Sequence, residues 1–236
     1  MTRVVISQPM YFPWVGFMAQ MALADVMIWL DDAQFSKGSF TNRVQVRTAD
    51  GIKWISVPLV NKGNRTLISD LKAADQTTAE RHSSLLQASL SKAAFFGEAQ
   101  DIFHRAWLKT SLVDTLIESA EGLARAVGLP ERDTHRASSM DVAGTGSARV
   151  LDLVRAVGGS RYITGHGARN YLDHQSFDDA GVEVEYMKYQ PLAWPQGHGA
   201  FTPYVTTLDL VAQVPGAHRR AHLAPQTVGW RVFTET

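Results

Sequence analysis

Short apolar runs alternate with a helical pattern near the start of the chain. Residues 3–7 form a β-branched run that stops at Gln8-Pro9, residues 16–24 have helical composition, and residues 26–30 form a second apolar run that stops at Asp31-Asp32. A buried strand, a helix and a second buried strand in so short a stretch predict a βαβ unit, with parallel strands and a right-handed crossover.

Alternation of apolar and polar residues marks the next segment. Residues 42–47 alternate, residues 53–58 form a returning run, and Asp50-Gly51 stands between them. An Asp-Gly pair between two such runs predicts a β-hairpin. Residues 61–65, which are polar and basic, are predicted to form a loop.

Three helical patterns then interrupt the alternation of strands and helices. They cover residues 77–93, 97–108 and 111–127. In the third, Ser111 and Asp114 resemble a capping box, and Gly128 and Pro130 end the helix. We expect these helices to form an inserted helical subdomain at about residues 76–130.

Strand and helix patterns alternate again after residue 130. Strands are predicted at 134–138, 161–165 and 182–187, the last with the alternation of an edge strand, and helical patterns begin near residue 144 and cover 170–180. The chain is therefore predicted to form a single α/β domain over residues 1–236, with a Rossmann-like, mostly parallel sheet, a β-hairpin excursion and the helical insertion. In such sheets ligands bind beyond the carboxyl ends of the strands.

Composition and charge narrow the classes of function. Lys and Arg number 23 and Asp and Glu 23, so the net charge is zero, which argues against a broad basic surface, and we expect no nucleic acid as a partner. The absence of cysteine excludes disulfides, thiolate metal ligands and a cysteine nucleophile. No apolar run reaches the ~18 residues of a membrane span, and no signal peptide is recognisable, so we expect no membrane span and a cytoplasmic location.

The most informative polar residues follow the first two strands. Gln8, Tyr11 and Trp14 lie in a loop that could orient a substrate beside a helix start able to hold an anion, although a rigid aromatic loop that only closes the sheet edge is the alternative. Asp31 and Asp32 could act as a general base, bind a ribose hydroxyl or hold Mg²⁺. The alternative for this pair is a structural role, capping local backbone and pairing with Arg43.

Further candidates lie downstream. Arg43, preceded by Asn42, could clamp a carboxylate or phosphate with its planar guanidinium. His82 could act as a general acid or base, although a lone histidine is more often structural. Glycine-rich turns at residues 144–147 and 164–167 could hold a ligand at the strand ends or be ordinary connections. With no H-E-x-x-H pattern and no Walker A loop, we assign no metal and no cofactor.

Several segments, taken in order, resemble the WbqC-like protein family. They are VVISQPMYFPWVGF, ADVMIWLDDAQF with NR following, RH…SKAAFF, YITGHGARNYLD with GVEVEYMKY, and PQGHGAFTPYVTTLDL, and they span about residues 4–212. Members of this family occur in bacterial gene clusters for O-antigen and other surface glycans and for specialised metabolites. The resemblance therefore implies a biosynthetic role.

The family resemblance also marks individual positions. These are Gln8, Tyr11, Pro13, Trp14, Gly16, Asp31, Asp32, Gln34, Asn42, Arg43, His82, Lys92, Tyr171, Gln196, Phe201 and Asp209. The chain departs from the family at Leu90 and Ala94, where a tyrosine and a proline are usual, and this affects the expected shape around Lys92.

We accordingly expect an enzyme that transfers an acyl or aminoacyl group to an amine of a sugar or small metabolite. His82 would be the general base, and Asp31 or Asp32 would tune it or hold the acceptor. A small-molecule or carrier-bound substrate would be held by Gln8, Tyr11, Trp14, Gln34, Asn42, Arg43, Lys92, Tyr171 and Gln196. Without cysteine, transfer would be direct from the donor.

Two other classes of function stay open at this point. One is a HUP-like nucleotide-dependent ligase or nucleotidyltransferase, with ATP and Mg²⁺ near Asp31, Asp32 and residues 144–147. The other is a non-catalytic partner in the assembly of a glycan or metabolite, and the sequence does not determine the oligomeric state.

Overall fold

A mostly parallel sheet forms the centre of the protein, with helices on both faces. The computed structural model describes residues 1–60, 66–75 and 77–235, so the loop predicted at residues 61–65 lies outside the described part. The strands are β1 (Arg3–Ser7), β2 (Val26–Trp29), β3 (Arg43–Thr48), β4 (Gly51–Ser56), β5 (Asp133–Arg136), β6 (Arg161–Thr164), β7 (Glu183–Tyr189) and β8 (Pro225–Gly229). The helices are α1 (Val15–Met21), α2 (Thr78–Leu90), α3 (Phe96–Trp107), α4 (Leu112–Ala126), α5 (Gly146–Ala156), α6 (His174–Asp179), α7 (Thr207–Gln213), α8 (Gly216–Arg219) and α9 (Trp230–Thr234).

The order of the strands confirms the predicted α/β class. Six strands form one sheet in the order β5-β2-β1-β6-β7-β8, and β3 and β4 form a separate antiparallel hairpin. Only β8 runs antiparallel to its neighbour in the large sheet, and Val5 of the central strand lies between Met27 and Ile163. Numbered among themselves in chain order, the five parallel strands read 3-2-1-4-5, which is the doubly wound order without its sixth strand.

The prediction that residues 182–187 form an edge strand is wrong. β8 pairs with β7 on its outer side, with Tyr186 opposite Val228. β8 is short and contains proline and glycine, so the local pattern did not indicate a strand there. Proline is tolerated at the first position of an edge strand, which is where Pro225 lies.

Both faces of the central strands are buried. Val5 and Met27 belong to one apolar core, with residues of α1, α3, α4 and α7, whereas Val4 and Ile28 belong to a second core, with residues of α5 and α6. Successive strand residues point to opposite faces. This double burial explains why the strands appear in the sequence as continuous apolar runs.

The three helices of the predicted insertion, α2–α4, occur close to their predicted bounds. Ser111 Oγ accepts from the Asp114 backbone N–H at 3.2 Å and begins α4. At the other end, Gly128 has φ +76°, and the Gly128 and Leu129 N–H groups bond to the carbonyls of Arg125 and Ala124, as in a Schellman motif. Side chains of these helices share the first core with α1, and the division of the chain into one domain with an insertion stays a prediction.

Within the described ranges, none of the helices combines the length and the apolar character needed to cross a membrane. The cytoplasmic location stays a prediction.

Candidate functional site

The sheet has a topological switch point between β1 and β6. From β1 the chain passes through α1 to β2 on one side, and from β5 it passes through α5 to β6 on the other side of β1. The two connecting helices lie on opposite faces, because α1 packs in the first core and α5 in the second. At such a point the connections diverge and open a crevice at the carboxyl ends of the strands, where ligands bind.

A cavity of about 490 Å³ occupies this position, and we refer to it as the crevice. Its volume lies within the range of small-molecule sites. The loop after β1, helix α1, the segment before β3, the turn after β6, the end of β7 and two later segments contribute to its lining. The lining residues are Met10, Trp14, Gly16, Phe17, Gln20, Phe40, Gly165, His166, Met187, Tyr189, Pro191, Pro203 and Tyr204.

Trp14 forms the centre of an aromatic wall. Its ring lies 5.5 Å from the ring of Tyr189, edge to face, and 5.7 Å from that of Tyr204. The indole also covers Gly16 so closely that a Cβ added there would lie 2.3 Å from the ring. Glycine at position 16 is therefore what allows Trp14 to occupy this orientation.

His166 has a defined tautomer at the edge of the crevice. Its Nε2 lies 3.1 Å from the carbonyl oxygen of Met187, which can only accept, so Nε2 carries the hydrogen. In the neutral ring the lone pair then resides on Nδ1. An imidazole held in one orientation at a cavity wall has the geometry that a general base requires.

The Tyr189 hydroxyl is shielded from solvent and lacks a hydrogen-bond partner among the described residues. Burial, with Tyr204 nearby, raises the pKa of Tyr189 to about 12, so the phenol is neutral at physiological pH. A buried hydroxyl without a partner is unfavourable, and an acceptor on a ligand would satisfy it.

The structure brings His82 together with Tyr11, away from the crevice lining. His82 Nδ1 lies 2.8 Å from the Tyr11 hydroxyl, which itself accepts from Trp107 Nε1 at 3.1 Å. Burial, with Arg81 nearby, lowers the pKa of His82 to about 4, and a hydrogen bond to the Ser56 backbone opposes this shift. Both ring nitrogens of His82 are thus engaged, and its role as general base stays a prediction.

The two aspartates join the end of β2 to the segment after β5. Asp31 accepts from the Ser138 backbone N–H at 3.0 Å and from Ser138 Oγ at 2.7 Å. Asp32 accepts from both terminal nitrogens of Arg149, at 3.0 and 2.5 Å. The alternative of a pairing with Arg43 is wrong, since the partner of Asp32 is Arg149. Catalytic roles for Asp31 and Asp32 stay predictions.

Arg43 and Asn42 hold the hairpin and its neighbours. The Arg43 guanidinium lies 4.4 Å from the centre of the Trp54 ring and donates to the Gly38 carbonyl. Asn42 Nδ2 donates to the Val57 carbonyl at 2.8 Å.

The other predicted binding residues are dispersed. Gln34 forms an isolated backbone bridge with Leu67, and Gln196 bonds through its amide to both backbone groups of Thr202. Lys92 and Tyr171 are exposed, and Gln8 is partly buried at the end of β1. Of the residues proposed from the sequence as catalytic or substrate-binding, Trp14 is the one in the described lining of the crevice.

Asp209 is the most unusual carboxyl group of the described chain. It is 2% exposed, one oxygen accepts from Trp194 Nε1 at 2.7 Å, and the other has no partner among the described residues. Burial raises the pKa of Asp209 to about 6, against the opposing effect of the Trp194 hydrogen bond and Arg47. Within the described ranges no group of three or more His, Asp or Glu side chains is placed to hold a metal ion.

Sequence reasoning did not select His166 and Tyr189. The glycine-rich turn that contains His166 was recognised at a strand end, but the pattern did not single out its histidine. Tyr189 is the last residue of β7 and therefore belongs to the ligand edge of the sheet. The position of each at a carboxyl strand end is the signal that could have identified it.

The fold and the crevice define the class as a doubly wound α/β protein with a candidate small-molecule site. The chain belongs to the WbqC-like protein family, whose family model matches residues 8–221, and the resemblance expected from the sequence is confirmed. It is also similar to the uncharacterized protein Rv1507c of Mycobacterium tuberculosis (strain ATCC 25618 / H37Rv), at 29% identity over 218 residues, which covers 91% of this chain and 94% of that protein. No solved structure matches this chain significantly.

Proposed function

We propose that this protein is a biosynthetic enzyme that transfers an acyl or aminoacyl group to an amine of a sugar or specialised metabolite, and that the reaction takes place in the crevice. The observation that carries the proposal is the hydrogen bond from His166 Nε2 to the Met187 carbonyl, which leaves the Nδ1 lone pair as the basic site of an imidazole at the cavity wall. Membership of the WbqC-like family supports a biosynthetic role.

The chemistry is a direct attack of the amine on an activated acyl donor such as a thioester. A C–N bond forms as the C–S bond breaks, the amine proton passes to His166 Nδ1, and the departing thiolate takes up that proton. The chain has no cysteine, so a thioester on the protein is not an intermediate. Proximity in the crevice and proton transfer by His166 would supply the rate.

His82 is the alternative base, and its geometry makes a distinguishable prediction. To accept a proton at Nδ1, His82 must lose its hydrogen bond with the Tyr11 hydroxyl. Its side chain is also 7% exposed, which limits contact with a substrate. A base at His166 would keep its hydrogen bond to the Met187 carbonyl, and its side chain is exposed. We therefore assign the proton transfer to His166.

Thiol release from N-acetylcysteamine thioesters tests the proposal. Acetyl, hexanoyl and benzoyl thioesters are incubated with a panel of amino sugars and simple primary amines, thiol is followed with Ellman's reagent, and amide products are identified by mass spectrometry. Because the protein has no cysteine, it contributes no thiol background. We expect amine-dependent thiol release that falls by about 10²-fold or more in His166→Gln, the usual contribution of a general base.

The variant His166→Gln keeps a donor for the Met187 carbonyl and removes the basic nitrogen, so it isolates the chemistry from the fold. His82→Asn is the matched control and should retain thiol release. Release that survives in His166→Gln but disappears in a folded His82→Asn would transfer the role to His82. No amine-dependent release with any donor of the panel would contradict the proposed reaction.

A nucleotide-dependent ligase or nucleotidyltransferase is the second candidate. The observation in its favour is the strand order 3-2-1-4-5, since doubly wound sheets of this kind bind nucleotides at the switch point. Calorimetry with ATP and Mg²⁺ tests it. Saturable heat that depends on Mg²⁺ would favour this function, and its absence would leave acyl transfer as the better account.

A further inference from the structure

We infer that the crevice selects an uncharged aromatic acyl group, whose carbonyl oxygen accepts a hydrogen bond from Tyr189. This inference deepens the proposed function, on which it rests for the acyl chemistry, by naming the class of donor. The inference depends on the charge of the crevice walls, on the aromatic side chains that shape them and on the Tyr189 hydroxyl.

The described lining of the crevice contains no Asp, Glu, Lys or Arg side chain. Its polar side chains are Gln20, His166, Tyr189 and Tyr204, together with the indole N–H of Trp14, and each is neutral when the imidazole is unprotonated. Placing a carboxylate or phosphate against such walls would remove its hydration without supplying an opposite charge, which is costly.

Two arginines that do not line the crevice are engaged with other groups. Arg149 forms a bidentate ion pair with Asp32, and Arg43 donates to the Gly38 carbonyl while lying over Trp54. Recruiting Arg149 to an anionic ligand would leave Asp32 without its partner. The contacts of both arginines therefore argue against an anionic group in the crevice.

The walls favour a flat ring. Trp14, Phe17, Phe40, Tyr189 and Tyr204 contribute aromatic faces and edges to the lining. Aromatic pairs gain free energy of interaction beyond that from the burial of their area. Met10 and Met187 complete the apolar surface with side chains that adapt to rings of different substitution.

Tyr189 supplies the polar contact. Its hydroxyl is a donor without a partner among the described residues and is shielded from solvent, so the side chains over it must move aside as a ligand carbonyl enters to accept from it. Met187, whose carbonyl orients His166, lies two residues before Tyr189 on β7, so the two side chains are on the same face of the strand and roughly 7 Å apart along it. A carbonyl bound by Tyr189 would thus lie on the same strand end as the group that holds the base.

Ligand-observed NMR titrations with unreactive aromatic probes test the inference. The probes are benzamide, 4-carboxybenzamide and phenyl phosphate, which share a ring and differ in charge. We expect benzamide to bind at least tenfold more tightly than either charged probe. Tyr189→Phe should weaken benzamide binding about tenfold, whereas Tyr186→Phe, which removes a phenol hydroxyl that bonds to His174 outside the described lining, should leave it unchanged.

The outcomes separate this inference from the proposed function. Selective binding of benzamide without any thiol release would support the inference and contradict acyl transfer. Charged probes that bind as tightly as benzamide, in a protein whose thiol release depends on His166, would overturn the inference and leave acyl transfer intact. Failure of all three probes to bind, or equal benzamide affinity in Tyr189→Phe and wild type, would also overturn it.

Discussion

The hydroxyl of Tyr11 donates a hydrogen bond to Nδ1 of His82, across 2.8 Å in the interior of the protein. The direction follows from the other ring nitrogen, because the Ser56 backbone, whose hydrogen bond raises the pKa of His82, accepts from it, and a neutral ring has one hydrogen to donate. His82 therefore carries its hydrogen on Nε2, and Trp107 Nε1 also donates to the Tyr11 hydroxyl. Trp107, Tyr11 and His82 form one directed chain of hydrogen bonds that links the first loop to α2 and α3.

Tyr11→Phe should reduce stability without preventing folding. The substitution leaves Trp107 Nε1 and His82 Nδ1 buried without their partner, and we expect the free energy of unfolding to fall by about 2 kcal/mol. Urea denaturation measures the change, and Tyr204→Phe, whose side chain is exposed, is the control and should differ from wild type by less than about 0.5 kcal/mol. Equal stability of Tyr11→Phe and wild type would contradict the directed chain.

His82 should make the protein sensitive to acid. Its pKa is about 4 in the folded protein and about 6.5 in the unfolded chain, so only the unfolded chain takes up the proton between these values. The stability that His82 contributes is complete above pH 6.5 and is lost as the pH falls towards 4, by about 3 kcal/mol in all.

The variant His82→Asn isolates this effect. The free energy of unfolding of His82→Asn minus that of wild type should increase by about 3 kcal/mol as the pH is lowered from 7 to 4. A difference that stays constant with pH would show that the pKa of His82 is the same in the folded and unfolded states.

Asp209 should change the stability of the protein in the opposite direction to His82 over much of the same pH range. Its pKa is about 6 in the folded protein, against an ordinary value of 3.8, so between these values the folded protein holds the extra proton. Stability is lost as the pH rises from about 3.8 to 6, by about 3 kcal/mol. Asp209→Asn, which keeps an acceptor for Trp194, should therefore gain stability relative to wild type over this rise in pH.

Thermal denaturation from pH 4 to 7 measures this dependence. Asp178→Asn is a suitable control, because its carboxyl group is ion-paired with Arg231 rather than enclosed like Asp209. An Asp209→Asn profile parallel to that of wild type would contradict the shifted pKa of Asp209.

Variants of the ion pair between Asp32 and Arg149 test whether Asp32 has a structural or a catalytic role. Their side chains are 20% and 16% exposed, between the buried and the surface cases. Asp32→Asn and Arg149→Met should each lower the free energy of unfolding by about 1–3 kcal/mol, and the double variant by less than the sum.

The rate of thiol release provides the second measurement. Asp32→Asn should retain the rate within a few-fold if the aspartate only supports the fold. A loss of about 10²-fold in Asp32→Asn, with a normal rate in Arg149→Met, would establish the catalytic role expected from the sequence.

Gly16→Ala should disturb the crevice more than the fold. The added Cβ would lie 2.3 Å from the Trp14 ring, so the indole must move away from Gly16. We expect benzamide affinity to fall at least tenfold and the tryptophan emission spectrum to shift. Gly97→Ala is the matched control, since its Cβ would meet nothing within 4 Å, and unchanged affinity in Gly16→Ala would contradict the role of Trp14.

Local patterns predicted the elements whose own residues carry the signal. β1 matches its predicted bounds, the hairpin of β3 and β4 surrounds the predicted Asp-Gly turn, and α4 has the predicted cap and end. β8 escaped prediction because its short, proline- and glycine-containing run has little periodicity, and it is defined mainly by pairing with β7.

The sequence by itself determined the class of fold, the buried strands and the family, because these depend on the spacing of apolar residues and on residue types along the chain. Tertiary structure decided which polar residues are available for chemistry. Tyr11 and His82 are 71 positions apart and Asp32 and Arg149 are 117 apart, so no local pattern could indicate that these groups are engaged with each other. The same long-range packing orients the ring of His166, since the carbonyl that accepts from its Nε2 belongs to a strand residue 21 positions away.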